Sequence, residues 1–271
     1  MTRELFLLHQ TASILSESII QEVIWRAFRH CFDAHWQEHF ARNAEFLFLG
    51  ASLTQLGARV AATLLFWAGT YCLLDAAYLF VSVLSVAFGF TQPHEWPPLF
   101  GSLTDAYSVR RFWGKFWHQL LRHPVIFFSK AATSAITRIL PTSISRHQRT
   151  ISLFLIFMAS GLTHSLTDIQ YRRYGLTDTF PVLRFFAASF LAFVLETAWI
   201  RVYRAGRSKA GKGFNRFYDG VDSLPGRVVP RLSVERMVGY MWVAAWICSL
   251  TPSLVYPPLR VLEHKASLLL Q

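Results

Sequence analysis

Apolar residues run along this chain in long stretches, and polar residues collect between them in short, mostly basic clusters. A helix needs about 20 apolar residues to cross the hydrocarbon core of a bilayer, and several stretches reach that length. Val60 to Phe90 carries Asp75 as its only formal charge, which predicts one long tilted span or a span with an interfacial extension. FLFLGASLTQLG, Phe46 to Gly57, predicts a shorter span ahead of it that ends at Arg59. Ile151 to Leu166, Phe180 to Ile200 and Met237 to Pro258 predict three more. The expected fold is all-α, a polytopic membrane protein with about 4–6 transmembrane helices and amphipathic interfacial helices beside them.

The polar positions fill in the rest. SIIQEVIWRAFRHCFDAHW, inside a mixed region 1–45, predicts an amphipathic helix on the membrane surface or at its edge. Three prolines in Gln92 to Ser108 break backbone hydrogen bonding, so that stretch is a loop that lipid cannot surround. PVIFFSKAATSAITRIL predicts a second interfacial or half-buried helix, and Arg201 to Gly220 a basic, glycine-rich loop. On a helical wheel FWGKFWHQLLRH, Phe112 to His123, is strongly amphipathic. Arg111, Lys115, His118 and Arg122 share one stripe, opposite Phe112, Trp113, Phe116 and Trp117. Such a helix anchors in the plane of the membrane with tryptophans at headgroup level, and its basic stripe equally suits the phosphates of a nucleotide-bearing substrate.

Composition agrees with the spans. The chain has 271 residues, 53% hydrophobic and only 16% charged, against about 25% charged in soluble domains. Its +11 formal charge fits basic loops on the cytoplasmic face, by the positive-inside bias. Nucleic acid is not expected as a partner, because the basic residues flank apolar runs instead of covering a soluble face. Cys31, Cys72 and Cys248 are far apart and form no metal spacing, and the N-terminus has no cleavable leader pattern. A single domain over 1–271 is expected, with 1–45 as an interfacial region.

One apolar run carries chemistry. In FMASGLTHSLTD, His164 lies at membrane depth, where an ionisable residue is a functional hypothesis. Ser160 and Asp168 sit one turn to either side, and a carboxylate there could orient the imidazole as a base. Gly161 permits close approach of a neighbouring helix or a ligand. An interhelical hydrogen bond satisfying His164 is the plainer alternative. Asp75 and Glu196 could pair with basic residues or line a cavity. No HExxH, GxSxG, P-loop or DDxxD motif occurs, and GKGFN at Gly211 to Asn215 lacks phosphate-loop spacing.

Read in order, WPPLFGSLTDAYSVRRFWGKFWHQLLR, then FMASGLTHSL, then GYMWVAAWICSLTPSLVYP resemble the wax synthase-like branch of the membrane-bound O-acyltransferases, in its fungal secondary-metabolism form. The resemblance covers residues 46–258. It implies a multi-span enzyme of the endoplasmic reticulum that moves an acetyl or longer acyl group from acyl-CoA to the hydroxyl of a hydrophobic alcohol, such as a terpenoid or polyketide. Acyl-CoA is then a co-substrate, with no bound cofactor and no metal. His164 corresponds to the buried family histidine, a general base, and His118 to a second active-site position that is Asn in many relatives. Arg111, Trp113, Lys115, Trp117, Arg122, Ser160 and Asp168 complete the implied substrate-binding set. The family pattern also has further spans and an arginine/glycine motif ahead of this region, which this chain is expected to lack. Two other functions remain open on sequence: a membrane terpenoid cyclase that uses Asp75, Asp168 or Glu196 as acid, and a non-catalytic lipid-binding or transport protein.

Overall fold

The computed structural model describes residues 2–32, 36–41, 52–120, 122–139, 147–172, 179–208 and 234–269. Among these residues the chain is helical, with no strand. In chain order the helices are α1 (Arg3–Phe32), α2 (Trp36–His39), α3 (Leu53–Ala87), α4 (Val109–Arg111), α5 (Arg122–Ile139), α6 (Gln148–Arg172), α7 (Thr179–Ser208) and α8 (Val234–Leu269). Four of them contain stretches long and apolar enough to cross a membrane: Leu53–Ala87, Gln148–Leu166, Pro181–Tyr203 and Arg236–Arg260.

The start of α3 differs from the expectation of a separate span ending at Arg59. Ser52 caps the helix: its hydroxyl accepts from the Gln55 amide at 3.2 Å, and its own amide donates to Gln55 Oε1 at 2.9 Å. That reciprocal pair satisfies two orphan donors of the first turn. The helix then runs unbroken through Arg59, which is buried, to Ala87. Residues 46–51 of the expected span lie outside the described residues.

The N-terminal helix, α1, packs lengthwise and antiparallel against α3. Arg3 donates to the Ala87 carbonyl at 2.6 Å, Gln21 and Ile24 lie against Gly69, and Phe28 packs with Phe32, Phe40 and Ala62. Lipid tails are as apolar as leucine, so within a bilayer close packing, not the hydrophobic effect, holds helices together. Gly161 shows this between α6 and α7. A side chain there would come within 3.2 Å of Leu183 and Phe186, so its hydrogen atom is what lets the helices meet. Phe154 meets Phe190 edge-on at 5.3 Å one turn along, and Phe157 packs tilted against the same ring at 6.2 Å. α8 joins α3 through the Trp67 indole, which donates to the Thr251 hydroxyl at 2.8 Å.

Arg201 to Ser208 continue α7 instead of starting the expected basic loop; residues 209–233, including GKGFN, lie outside the described residues. The proline-marked segment is a loop, as expected, pinned to α3 and α8. Tyr78 donates to the Pro97 carbonyl at 2.8 Å, and Tyr240 to the Thr104 carbonyl at 2.7 Å.

Candidate active site

FWGKFWHQ is not an interfacial helix. Val109–Arg111 form one α-turn, Phe112–Phe116 a π-turn, and Trp117 is extended at φ −65°, ψ 150°. The stripe drawn through Arg111, Lys115, His118 and Arg122 therefore does not exist as one continuous helical face. Its aromatic residues do not face headgroups either. Phe112 and Trp117 are buried, 4% and 7% exposed, in the central core with Trp246 and Leu99. Trp67 stands at the centre of this packing, 4.5 Å from Trp117, 5.7 Å from Phe112 and 6.3 Å from Trp113, ring to ring. A π-turn carries an extra residue and is frequently found at functional sites. Here it turns Trp117 and His118 inward.

Two elements hold the turn. On one side the loop pairs with it: the Gly101 amide donates to the Phe116 carbonyl at 2.9 Å, and the Gln119 amide to the Leu99 carbonyl at 3.3 Å. A Cβ on Gly101 would stand 1.9 Å from the Lys115 carbonyl oxygen, so only glycine fits. On the other side Glu196 of α7, buried, accepts from the Val109 amide at 2.6 Å and from Arg110 at 3.4 Å. A carboxylate meeting the first amides of a helical turn is favoured by charge and dipole together. Glu196 was expected to pair with a basic side chain or to line a cavity; it does line the cavity, and its oxygens also serve the backbone.

The turn, α3, α5, α6, α7 and α8 line a half-open cavity of about 1730 Å³. His118 and His164 both line it, with Ser160, Trp113, Trp117, Lys115 and Arg111. These are seven of the nine expected site residues. The side chains of Arg122 and Asp168 lie outside the described part of the structure. The His164 ring lies parallel to Phe186, 17° between planes and 5.2 Å between centroids, so an aromatic face sets its orientation. Arg111 is tied to Asp105 by an ion pair and a bond from Nε to the Asp105 carbonyl at 3.1 Å, and its guanidinium lies 4.6 Å over Tyr107. It shapes the rim while engaged within the protein.

His118 is polar tissue in an apolar wall, edge-on to Phe100 at 6.1 Å. Loss of water around the ring, with His164 across the cavity adding to it, pushes its pKa down to about 4. Burial is the dominant cause. The ring is neutral at pH 7. Its Nδ1 is fully buried with no hydrogen-bond partner among the described residues. A stranded N–H donor costs more than a stranded lone pair, which favours the proton on Nε2, the nitrogen left to meet a ligand in the cavity.

The cavity is electrically lopsided, and this the sequence did not single out. Arg110, Lys130, Arg149 and Arg201, from four different elements, line it, as do Phe66, Val182, Phe185, Leu254 and Leu259. Ser129 beside Ser152 and Phe154 on Phe190 set the cations near the start of α6, whereas Gly161 against Leu183 and Phe186 sets Val182 and Phe185 further along it. Arg149 opens α6 and His164 follows four turns later. At about 1.5 Å per residue, His164 lies roughly 22 Å along the axis from the cationic end. Among the described residues no group of three or more His, Cys, Asp or Glu is placed to hold a metal ion.

Residues 96–188, which contain both histidines, match the profile of the "Membrane bound O-acyl transferase family". The chain is 34% identical over 214 residues to "Acetyltransferase nanB" of Aspergillus nanangensis, covering 78% of this chain and 46% of that protein. To "Acetyltransferase ataH" of Aspergillus terreus it is 32% identical over 214 residues, covering 77% and 60%. To "Acetyltransferase TRI7" of Fusarium sporotrichioides it is 25% identical over 253 residues, covering 93% and 54%. The chain thus spans about half the length of the curated relatives it matches. No solved structure matches it.

Proposed function

We propose, on the premise that this chain belongs to the membrane-bound O-acyltransferase family, that it moves an acyl group from acyl-CoA to the hydroxyl of a lipophilic alcohol. The observation that carries the reading is one cavity with two histidines, a cationic end and an apolar end. An elongated donor, anionic at one end and reactive at the other, fits this polarity. Its phosphates meet Arg110, Lys130, Arg149 and Arg201, and its thioester reaches the histidines about 22 Å further in. The alcohol occupies the apolar end, lined by Phe66, Phe185 and Leu254.

The two histidines divide the work. His164 takes the hydroxyl proton as the alcohol oxygen attacks the thioester carbonyl carbon. His118, neutral and protonated on Nε2, donates to the carbonyl oxygen as negative charge develops there. The C–O bond forms, the C–S bond breaks, and the proton held by His164 passes to the departing thiolate. General-base help is worth about 10²–10⁴-fold, roughly 3–5 kcal/mol, and an oxyanion donor about 10²–10³-fold. Ser160, one turn from His164, lies close enough to order the alcohol. The relatives' names supply acetyl as the first acyl group to try, and the positive-inside bias of the basic end supports a donor on the cytosolic side, in our reading of an endoplasmic reticulum membrane.

Release of free CoA thiol tests this reading. It is expected to require both acyl-CoA and an added lipophilic alcohol, in stoichiometric step with ester. Thiol release without ester would mean hydrolysis. Product formed from an isoprenoid substrate without any acyl-CoA would mean cyclisation. For cyclisation two of the three candidate acids are poorly placed: Glu196 caps a backbone turn, and Asp75 faces Glu17 of α1.

A further inference from the structure

The segment that carries His118 reaches the cavity through an unusual piece of backbone, three residues of α-turn followed by five of π-turn. Such a short piece cannot hold its own geometry, since nucleating a turn fixes several residues for one hydrogen bond. Something outside it must fix where it begins. The Val109 amide, on a residue with no exposed surface, ends on Glu196 at 2.6 Å, and the Arg110 amide on the same carboxylate at 3.4 Å. Arg110 also lies 4.8 Å over the ring of Phe193, one turn before Glu196 on α7. The adjoining Ser108 hydroxyl accepts from Arg111 at 3.2 Å, which completes the turn.

We infer that Glu196 is a positioning residue: by capping the Val109 turn from α7, it sets the location of His118 relative to His164. α7 is also the helix whose Phe186 stacks on His164. One helix therefore orients both histidines, His164 through Phe186 and His118 through Glu196. The far end of the segment pairs with the loop, through Gly101 and Gln119. Glu196 adds a hydrogen-bonded link from the start of the turn to a membrane-spanning helix. In what it says about turnover, the inference rests on the acyl-transfer reading above.

The test compares Glu196→Gln, which keeps an oxygen acceptor, with Glu196→Ala, which does not. Amide hydrogen exchange of the full chain in detergent, read by mass spectrometry, needs no turnover. The peptide spanning residues 109–118 is expected to exchange at least about tenfold faster in Glu196→Ala, with Glu196→Gln near wild type and α3 peptides unchanged. Where ester formation is measurable, kcat should fall about 10²-fold in Glu196→Ala, recover largely in Glu196→Gln, and leave the acyl-CoA KM within about twofold. Unchanged exchange in Glu196→Ala overturns the inference. So does a Glu196→Gln protein that is protected like wild type yet as slow as Glu196→Ala, because charge would then be the function. If Glu196→Ala gives no folded protein, Glu196→Asp, with its carboxylate drawn back by one methylene, provides the same contrast. A wild-type protein that makes no ester overturns the acyl-transfer reading and leaves the exchange result to judge Glu196 alone.

Discussion

His118 separates two kinds of histidine chemistry by its environment. Burial lowers its pKa to about 4 from an ordinary 6.5, so the folded protein holds fewer protons than the unfolded chain between those values. Stability contributed by the neutral ring is fully present above pH 6.5 and is lost as pH falls toward 4. Melting temperature should drop over that window, and drop less in His118→Asn, as differential scanning fluorimetry across pH would show. Turnover should show no titration of His118 above pH 5. The donor role makes a sharper prediction. Asn keeps an N–H that can reach a carbonyl oxygen, so His118→Asn should retain most of the wild-type kcat. His118→Leu, similar in bulk but with no donor, should lose about 10²–10³-fold. Equal loss in both variants, measured by steady-state kinetics, would remove His118 from the reaction.

The π-turn shows what helical periodicity can and cannot disclose. Residues 112–123 have a strong amphipathic pattern, and a surface helix is the simplest structure with that pattern. The pattern counts faces; it does not reveal that Trp117 turns extended or that Trp67, far along the chain, supplies an aromatic socket. Tertiary partners decided the outcome, as they did for α1, which turns Glu17, Gln21, Ile24 and Phe28 to α3 and leaves Leu8, Leu15 and Ile19 exposed. Glu196 could not be read as a cap for the same reason: its partners are 87 and 86 residues away. The spans around His164 were legible because uninterrupted apolar length is itself the signal, and Gly161 was legible because a small residue beside a buried histidine has few other uses. Gly101 and Gly161 then differ in a measurable way. Gly101→Ala would drive a methyl group into the Lys115 carbonyl and should cost about 1–3 kcal/mol or more, with release of the turn. Gly161→Ala meets only side chains at 3.2 Å, which can shift, and should cost less. Thermal unfolding of the two purified variants gives the order directly.

Across the whole molecule, polarity along one cavity decides which part of each substrate binds where. The cationic end is assembled from α4, α5, α6 and α7, so no single sequence stretch displays it; only the folded arrangement brings Arg110, Lys130, Arg149 and Arg201 together. Arg149→Glu should therefore raise the acyl-CoA KM about tenfold while kcat changes little, and added salt should weaken donor binding to wild type more than to the variant. Substitution at the apolar end, for example Leu254→Trp, should alter which alcohols are accepted and leave the acyl-CoA KM in place. The most direct test of acyl transfer at this site incubates microsomes containing the chain with isotopically labelled acetyl-CoA and a panel of lipophilic alcohols. Ester mass is then compared between wild type and His164→Ala present at equal levels in the membrane. Labelled ester from wild type, reduced about 10²–10⁴-fold in His164→Ala, is the expected result; a variant that still makes most of the wild-type ester would contradict the account.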